Sequence, residues 1–235
     1  CEIYTDVDGV YTADPRIVPN ARKMEEVTYD EMLEMASLGA KVLHSRCVEI
    51  AKKYGVELLV CSSLNRNSGT MVREKTKMEK MLISGVAADK NVAKIRVAGL
   101  GNDPESTFRL LNLLDRNNLN IDVMIQSLGK DGTKSVSFTV AKPDMLRTID
   151  VLNDNKDSLG IKKLDYDENV AKISVIGAGV RSHSGVAAKM FGALANAGIN
   201  TEMITTSEIR ITALIDEAYA DQAMRAIHET FLERV

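Results

Sequence analysis

The hydrophobic and polar positions in the second half of the chain form a pattern that occurs twice. Residues 92–101 read VAKIRVAGLG and residues 170–179 read VAKISVIGAG. Further on, NIDVMIQS at 120–127 matches NTEMITTS at 200–207. The offset between the copies changes only in the loop between these two stretches, where a change in length is tolerated. The pattern therefore predicts two copies of one structural unit.

Each copy has the same predicted order of elements. An apolar strand leads into a glycine-containing loop, and the helix after it has apolar residues three and four positions apart, which indicates one buried face. A second strand, a third strand and a second helix follow. The third strands are predicted at 135–140 and 209–215, and the second helices at 144–152 and 220–231. This order matches the first five elements of a ferredoxin-like βαββαβ unit.

The first 70 residues instead alternate between predicted strands and helices. A strand at 2–6 enters a polar loop, and Thr28 with Glu31 has the spacing of a capping box that begins a helix. A second helix is predicted at 41–54 and a buried strand at 56–62. The stretch before the repeat is predicted as a turn at 65–70, a polar connection at 71–80 and a short strand at 82–87. The alternation indicates an α/β domain. Because the chain begins with Cys inside a predicted strand, we expect the domain's earlier strands to be missing.

Composition narrows the class of protein. The chain has 235 residues, a net charge of −3, 45% hydrophobic and 27% charged residues, which is typical of a globular protein. Six Tyr, four Phe and no Trp, without a basic excess, argue against nucleic-acid binding. No apolar run approaches the length of a membrane span, so we expect no membrane partner. Three cysteines without a Cys-x-x-Cys motif predict reduced thiols and a cytoplasmic location.

The sequence DVDG at 6–9 allows several interpretations. A haloacid-dehalogenase-type phosphatase carries D-x-D-G at a strand end, but the G-D-x-x-x-D that it also needs does not follow. A calcium loop would need Glu where Ile17 stands. Two interpretations stay open, a turn with solvated carboxylates and a nucleotide-binding loop to which Arg16 and Lys41 would contribute cations.

A glycine motif later in the chain is a weaker signal. Gly177 and Gly179, followed by Glu202, imitate a dinucleotide-binding fingerprint, but Ser182 replaces its third glycine and each repeat is too short for a Rossmann half. We therefore disfavour a dehydrogenase.

The histidines are distant from one another along the chain. His44 and Cys47 could share one helix face, but two ligands do not make a zinc site. His183 lies in a predicted loop and His228 on the last predicted helix. We expect structural or surface roles for all three, and no metal site.

Three long passages, in the right order, resemble the aspartate kinase family. They are TDVDGVYTADPR at 5–16, YDEMLEMASLGAKVLHSR at 29–46 and ITTSEIRITALI at 204–215. The resemblance covers essentially the whole chain and implies an α/β fold in which an incomplete amino-acid-kinase domain precedes two ferredoxin-like ACT domains with exchanged strands. The implied segments are the kinase part at 1–72, a linker and strand completing the second ACT unit at 73–90, and ACT domains at 91–168 and 169–235.

The resemblance also implies an activity. In that family the γ-phosphoryl group of ATP, with Mg²⁺, is transferred to the β-carboxylate of L-aspartate to give 4-phospho-L-aspartate, the first step towards lysine, threonine and methionine. Phosphoryl transfer of this kind depends on positioning, Mg²⁺ and cations more than on a protein base, and no tightly bound cofactor is expected. The implied ATP contacts are Thr5, Asp6, Tyr11, Thr12, Ala13, Asp14, Pro15, Arg16 and Lys41.

ACT domains bind amino acids, so the resemblance implies feedback inhibition by lysine, threonine or both. The implied effector residues are Asn120, Ile121, Asp122 and Gln126 in the first repeat, and Asn200, Thr201, Ser207 and Glu208 in the second. The alternative that these polar groups only cap strands and turns stays open. In the family's strand exchange, residues 82–87 would complete the second unit and 159–167 the first. Pairing of ACT units implies a homodimer or a higher oligomer.

The sequence departs from the family pattern at two places, one in the ACT loops and one in the kinase motifs. The ACT loops usually read Pro-Gly before the helix, whereas this chain has Pro104-Glu105 and Ser184-Gly185. The family's K-x-G-G-[ST] motif does not occur, so we predict no catalytic residue here and expect the chain to be inactive alone. The alternative is a non-catalytic regulatory subunit that binds lysine or threonine.

Overall fold

The computed structural model describes residues 1–39, 42–65, 67–76 and 82–232. These residues divide into two compact units. The larger unit contains the described residues within 1–89 and 172–235, and the smaller unit contains residues 90–171. The first part of the chain and most of the second repeat therefore belong to one unit, and the first repeat lies in the other.

The first part of the larger unit is built on a four-stranded sheet. Its strands are β1 (Glu2–Thr5), β2 (Glu26–Thr28), β3 (Leu58–Ser62) and β4 (Thr70–Arg73), in the order β1-β3-β4-β2. Strand β3 runs parallel to β1 and antiparallel to β4. The carboxyl ends of β1 and β3 therefore lie side by side, which is where open α/β sheets bind ligands.

Two helices accompany this sheet, α1 (Tyr29–Ser37) and α2 (Ser45–Tyr54). The predicted capping box of α1 is confirmed, since Thr28 Oγ1 accepts from the Glu31 N–H at 3.3 Å and the Glu31 carboxylate accepts from the Thr28 N–H at 3.2 Å. Helix α2 begins later than predicted because His44 is its N-cap, with Nδ1 accepting from the Arg46 N–H at 3.2 Å. His44 thus has a structural role.

The turn and polar connection predicted over 65–80 are wrong for β4. Thr70 and Val72 are fully buried and alternate with two less buried neighbours, so this short segment is a strand that pairs with both β2 and β3. A four-residue strand has too few positions for its period to stand out in the sequence. The predicted connection also includes residues 77–80, which lie outside the described residues.

The smaller unit has the order β6-β7-β5-β8. These strands are β5 (Gly85–Leu100), β6 (Met124–Leu128), β7 (Lys134–Ala141) and β8 (Lys163–Ile176). The helices are α3 (Pro104–Arg116), α4 (Met145–Asp154) after a 3₁₀ turn at Lys142–Asp144, and the short α5 (Lys156–Leu159). The short strand predicted at 82–87 and the first apolar strand of the repeat, within 92–101, are a single strand, β5, which begins in the larger unit and continues in the smaller one.

The second repeat completes the larger unit. There the order is β5-β8-β10-β9, with β9 (Met203–Thr206) and β10 (Arg210–Asp216) antiparallel. The helices are α6 (Gly179–Ser182), α7 (Val186–Asn196) and α8 (Ala220–Leu232), the last after a 3₁₀ turn at Glu217–Tyr219. Ala13 and Val18 from the first part pack in one core cluster with residues of α7 and α8, so the two parts fold together.

The glycines that imitate a dinucleotide fingerprint have a packing role. They lie directly after β8, where the Gly179 N–H donates to the Leu82 carbonyl at 3.0 Å. A Cβ at Gly177 would lie 2.7 Å from Ile83 Cα, and one at Gly179 would lie 2.3 Å from the Leu82 oxygen. These glycines are therefore needed for close backbone approach. No helix in the described part of the chain has the length and apolarity to cross a membrane.

Candidate functional site

The carboxyl end of β1 leads into the β1–β2 loop, residues 6–25. The Thr5 carbonyl accepts from Ser63 N–H at 2.7 Å and Ser63 Oγ at 3.0 Å, which ties the ends of β1 and β3 together. Thr5 Oγ1 donates to Asp6 Oδ1 at 3.0 Å. Asp6 is exposed, so its carboxylate faces solvent at the sheet edge.

The β1–β2 loop closes on itself through backbone and hydroxyl contacts. An isolated antiparallel bridge joins Tyr11 and Lys23. Buried Thr70 of β4 links the beginning and the end of the loop. Its Oγ1 accepts from the Val10 N–H at 2.8 Å and donates to the Met24 carbonyl at 2.6 Å. A long irregular segment is thereby held in a defined conformation.

Charge is matched inside the loop. Asp8 Oδ1 accepts from Tyr11 Oη at 2.8 Å, and Lys23 Nζ lies 3.6 Å from Asp8 Oδ2. The hydrogen bond from Tyr11, together with the Lys23 charge, lowers the pKa of Asp8, and the same bond raises the pKa of Tyr11. Asp8 therefore stabilises the loop, and Lys23, which the sequence analysis did not single out, is its partner.

Asp14 and Arg16 form an ion pair at the exposed side of this loop. Arg16 Nη2 lies 2.6 Å from Asp14 Oδ2, Arg16 Nε 3.0 Å from Oδ1, and the Arg16 N–H donates to Oδ1 at 2.9 Å. These bonds lower the pKa of Asp14 and raise that of Arg16, to which Asp6 adds a smaller electrostatic contribution. The Arg16 side chain is 84% exposed, so its guanidinium is accessible to a phosphate.

The other predicted nucleotide contacts are arranged differently. Thr12 and Ala13 are 3% and 5% exposed and face the protein core, and Pro15 is exposed beside Arg16. Lys41 lies outside the described residues. Thr5 is thus the last residue of β1, and the loop after it contains the other described candidates. Thr12 and Ala13 are the buried residues of that loop.

The first group of predicted effector residues lies in the smaller unit around β6. Asn120, Ile121 and Asp122 precede the strand, and the Asp122 N–H donates to the Thr139 carbonyl at 3.1 Å. Gln126 lies within β6, where its Oε1 accepts from Thr107 Oγ1 at 2.6 Å. Every residue of β6 is exposed, and this strand is at an edge of its sheet.

The second group is divided by β9. Asn200 and Thr201 precede β9 and line a cleft of about 340 Å³ beside α7. Ser207 and Glu208 follow β9, in a turn closed by the Ser207 N–H donating to the Arg210 carbonyl at 2.7 Å. Glu208 forms an exposed ion pair with Arg181 at 3.0 Å. The two halves of this group therefore lie at opposite ends of one strand.

Other polar contacts of the larger unit were missed from the sequence. Ser84 Oγ donates to Glu31 Oε1 at 2.5 Å, and Arg210 pairs with Glu34 at 2.9 Å. Each joins α1 to a residue far away along the chain, and no local pattern marks such pairs. Within the residues that the structure describes, no group of three or more His, Cys, Asp and Glu side chains is arranged to hold a metal ion.

An α/β sheet with a charged loop at its carboxyl edge, joined to repeated ferredoxin-like units, defines an amino acid kinase segment with regulatory repeats. The amino acid kinase family model matches residues 1–62, and the ACT domain model matches residues 173–231. The aspartokinase of Pseudomonas aeruginosa is 44% identical over 234 residues, covering 98% of this chain and 57% of that protein. This chain thus spans a little over half the length of that curated relative.

Solved structures agree with this comparison. The crystal structure of aspartokinase alpha and beta subunits contains a chain that is 42% identical, covers 63% of this chain and 98% of its own, and has a TM-score of 0.60. E. coli aspartokinase III with aspartate and ADP is 27% identical, with a TM-score of 0.87 over 99% of this chain and 52% of that one. The structure of E. coli aspartokinase III with lysine and aspartate has a TM-score of 0.80 at 27% identity, and the match covers 98% of this chain and 51% of that one. The chain belongs to the aspartokinase family.

Proposed function

We propose that this chain is the part of an aspartate kinase that contributes ATP contacts and amino-acid feedback control. The reaction is phosphoryl transfer from ATP to the β-carboxylate of L-aspartate. The observation that carries the proposal is the exposed ion pair of Asp14 and Arg16 in the loop after β1, together with exposed Asp6 at the carboxyl end of that strand. An exposed guanidinium held beside carboxylates at this edge suits an ATP phosphate with its magnesium ion.

Each group has a proposed task. Arg16, oriented by Asp14, binds a phosphate oxygen when ATP enters. Magnesium in such sites is held by substrate phosphates, several waters and one or two carboxylates, and Asp6 is the exposed carboxylate that we propose for this contact. Thr5 orients Asp6 through its 3.0 Å hydrogen bond. The ADP and aspartate bound in the E. coli aspartokinase III structure support this choice of substrates.

The effector proposal concerns the two repeats. We propose that lysine, threonine or both bind near β6 and β9, where Asp122 and Glu208 offer carboxylates to an amino acid's ammonium group. The lysine bound in a structure of E. coli aspartokinase III supports this class of ligand.

We also propose that the chain forms a homodimer or higher oligomer. Exposed Met124, Ile125 and Leu128 on edge strand β6 support pairing of two copies. The free thiols Cys1, Cys47 and Cys61 support a cytoplasmic location.

Substitution of Arg16 tests the ATP site. In the full-length gene product, Arg16→Met should raise the KM for ATP about tenfold, because one charge-assisted bond to phosphate is lost, while Arg16→Lys should raise it less. The acyl phosphate is trapped with hydroxylamine and measured as the hydroxamate. Arg46→Met, at an exposed position on α2, is the matched control and should leave the KM unchanged. Equal ATP kinetics in wild type and Arg16→Met would remove Arg16 from the site.

A second candidate is a non-catalytic regulatory subunit. One observation favours it: the aspartokinase alpha and beta subunit structure contains a chain of which 98% is covered by this one at 42% identity. The gene's upstream sequence discriminates between the two. A K-x-G-G-[ST] motif in frame before Cys1 supports the enzyme, and an initiator Met shortly before the first repeat supports the subunit.

A further inference from the structure

Thr12 in the β1–β2 loop forms hydrogen bonds with three separate segments of the chain. Its N–H donates to the Arg22 carbonyl at 2.9 Å, and its Oγ1 accepts from the Arg22 N–H at 3.0 Å. The Val86 N–H at the start of β5 donates to the Thr12 carbonyl at 2.8 Å. A buried hydrogen bond of 2.9 Å joins Thr12 Oγ1 to His228 Nε2 on α8. Three separate segments thus hold one loop residue.

Helix α8 reaches the same loop at a second point. Arg22 Nη2 donates to the carbonyl of Leu232, in the last turn of α8, at 2.7 Å. His228 is fully buried and Thr12 is 3% exposed, so water does not compete for their bond. Thr12 is two residues before Asp14, so the contact with His228 fixes the chain close to the exposed Asp14–Arg16 pair.

We propose that His228 is a positioning residue for the ATP-binding loop. Its bond to Thr12 Oγ1 holds residues 12–16 in the conformation that presents Asp14 and Arg16. This inference rests on the proposed function, since the positioning matters for catalysis only if those side chains bind ATP. The loop is irregular between Thr5 and Glu26, so its conformation depends on such side-chain contacts rather than on a helix or sheet ladder.

The proposal also gives α8 a role in control. The helix belongs to the second repeat, next in the chain to β10. A ligand that shifts α8 would move Thr12 and thereby change ATP affinity. By linkage, ATP would change the affinity for that ligand by the same factor.

The test compares three variants of the full-length gene product. His228→Leu keeps an apolar side chain of adequate size but loses the hydrogen bond, and it should raise the KM for ATP about fivefold while leaving the KM for L-aspartate unchanged. His228→Gln retains an amide that can donate or accept, and it should restore an ATP KM near that of wild type. Ile227→Val, a buried neighbour on α8, is the matched control for lost packing and should leave both constants unchanged.

A second readout needs no catalysis. Amide hydrogen exchange over residues 10–18 should be faster in His228→Leu than in wild type, His228→Gln or Ile227→Val. If wild type makes no hydroxamate, the proposed function fails, and this exchange measurement alone decides whether His228 positions the loop. Unchanged exchange in His228→Leu, an unchanged ATP KM in an active enzyme, or the same changes in Ile227→Val would overturn the inference.

Discussion

Asp8 and Asp14 each lie beside a donor that stabilises the ionised carboxylate. For Asp8 the largest cause is the hydroxyl of Tyr11, and for Asp14 it is the guanidinium of Arg16. Both contacts join residues two or three positions apart, so spacing alone brings the groups together. Local charge matching of this kind gives an irregular loop a preferred conformation without a helix or strand.

These contacts make the stability of the loop dependent on pH. The folded-state pKa of Asp8 lies below its unfolded value of about 3.9. Its contribution is therefore present above about pH 4 and is lost as the pH falls through the folded-state value. Asp8→Asn should lower the free energy of unfolding by about 1 kcal/mol at pH 7, and the difference from wild type should shrink below pH 4.

Urea unfolding of wild type and variant at pH 7 and at pH 3 measures this difference. Tyr11→Phe removes the donor of the same bond and should show the same trend with pH. A deficit in Asp8→Asn that is equal at both pH values would show that the carboxylate's charge does not stabilise the loop.

At the scale of elements, the turn after β8 depends on backbone contact with residues 82–84. At Gly177 and Gly179 the two segments are so close that any side chain would overlap the backbone of residues 82–84. By contrast, Gly192 lies in the interior of α7, and a Cβ built on it meets nothing within 4 Å. Gly179 is therefore required for close packing, whereas Gly192 in the same repeat is not.

We therefore expect opposite effects from one substitution at these two positions. Gly179→Ala should lower the free energy of unfolding by about 2 kcal/mol, because its Cβ would overlap the Leu82 carbonyl. Gly192→Ala should raise it by about 0.5–1 kcal/mol, because alanine favours the helix. Thermal and urea unfolding of both variants measure the two signs. A Gly179→Ala protein as stable as wild type would mean that the Leu82 backbone does not pack against this turn.

The repeat and the capping box of α1 could be predicted because both depend on local spacing. Strands β2 and β4 could not, since three or four residues carry no recognisable period and form strands only through their partners. The pairing of Asp14 with Arg16 is likewise local. The contact between Thr12 and His228 could not be predicted, because these residues are 216 positions apart. The sequence therefore predicts the exposed half of the candidate site better than the contacts that support it.

At the scale of the molecule, the first part of the chain and the second repeat form one packed unit. Arg210 at the start of β10 pairs with Glu34 of α1 at 2.9 Å, and each side chain is about one-fifth exposed. Arg210 follows Ser207 and Glu208 in the same turn. The proposed effector residues of the second repeat are thus connected through short contacts to α1. A ligand that reshapes this turn would act on the proposed kinase segment within a single unit.

We propose above all that this chain couples aspartate phosphorylation by the full-length enzyme to amino-acid binding. The most direct measurement is hydroxamate formation by the full-length gene product from ATP and L-aspartate, with and without millimolar lysine and threonine. We predict ATP-dependent hydroxamate that decreases when one or both amino acids are added. Asp122→Ala should weaken that inhibition, whereas Asp115→Ala, at an exposed position on α3, should not. No hydroxamate from ATP and aspartate, or formation indifferent to both amino acids, would contradict the account.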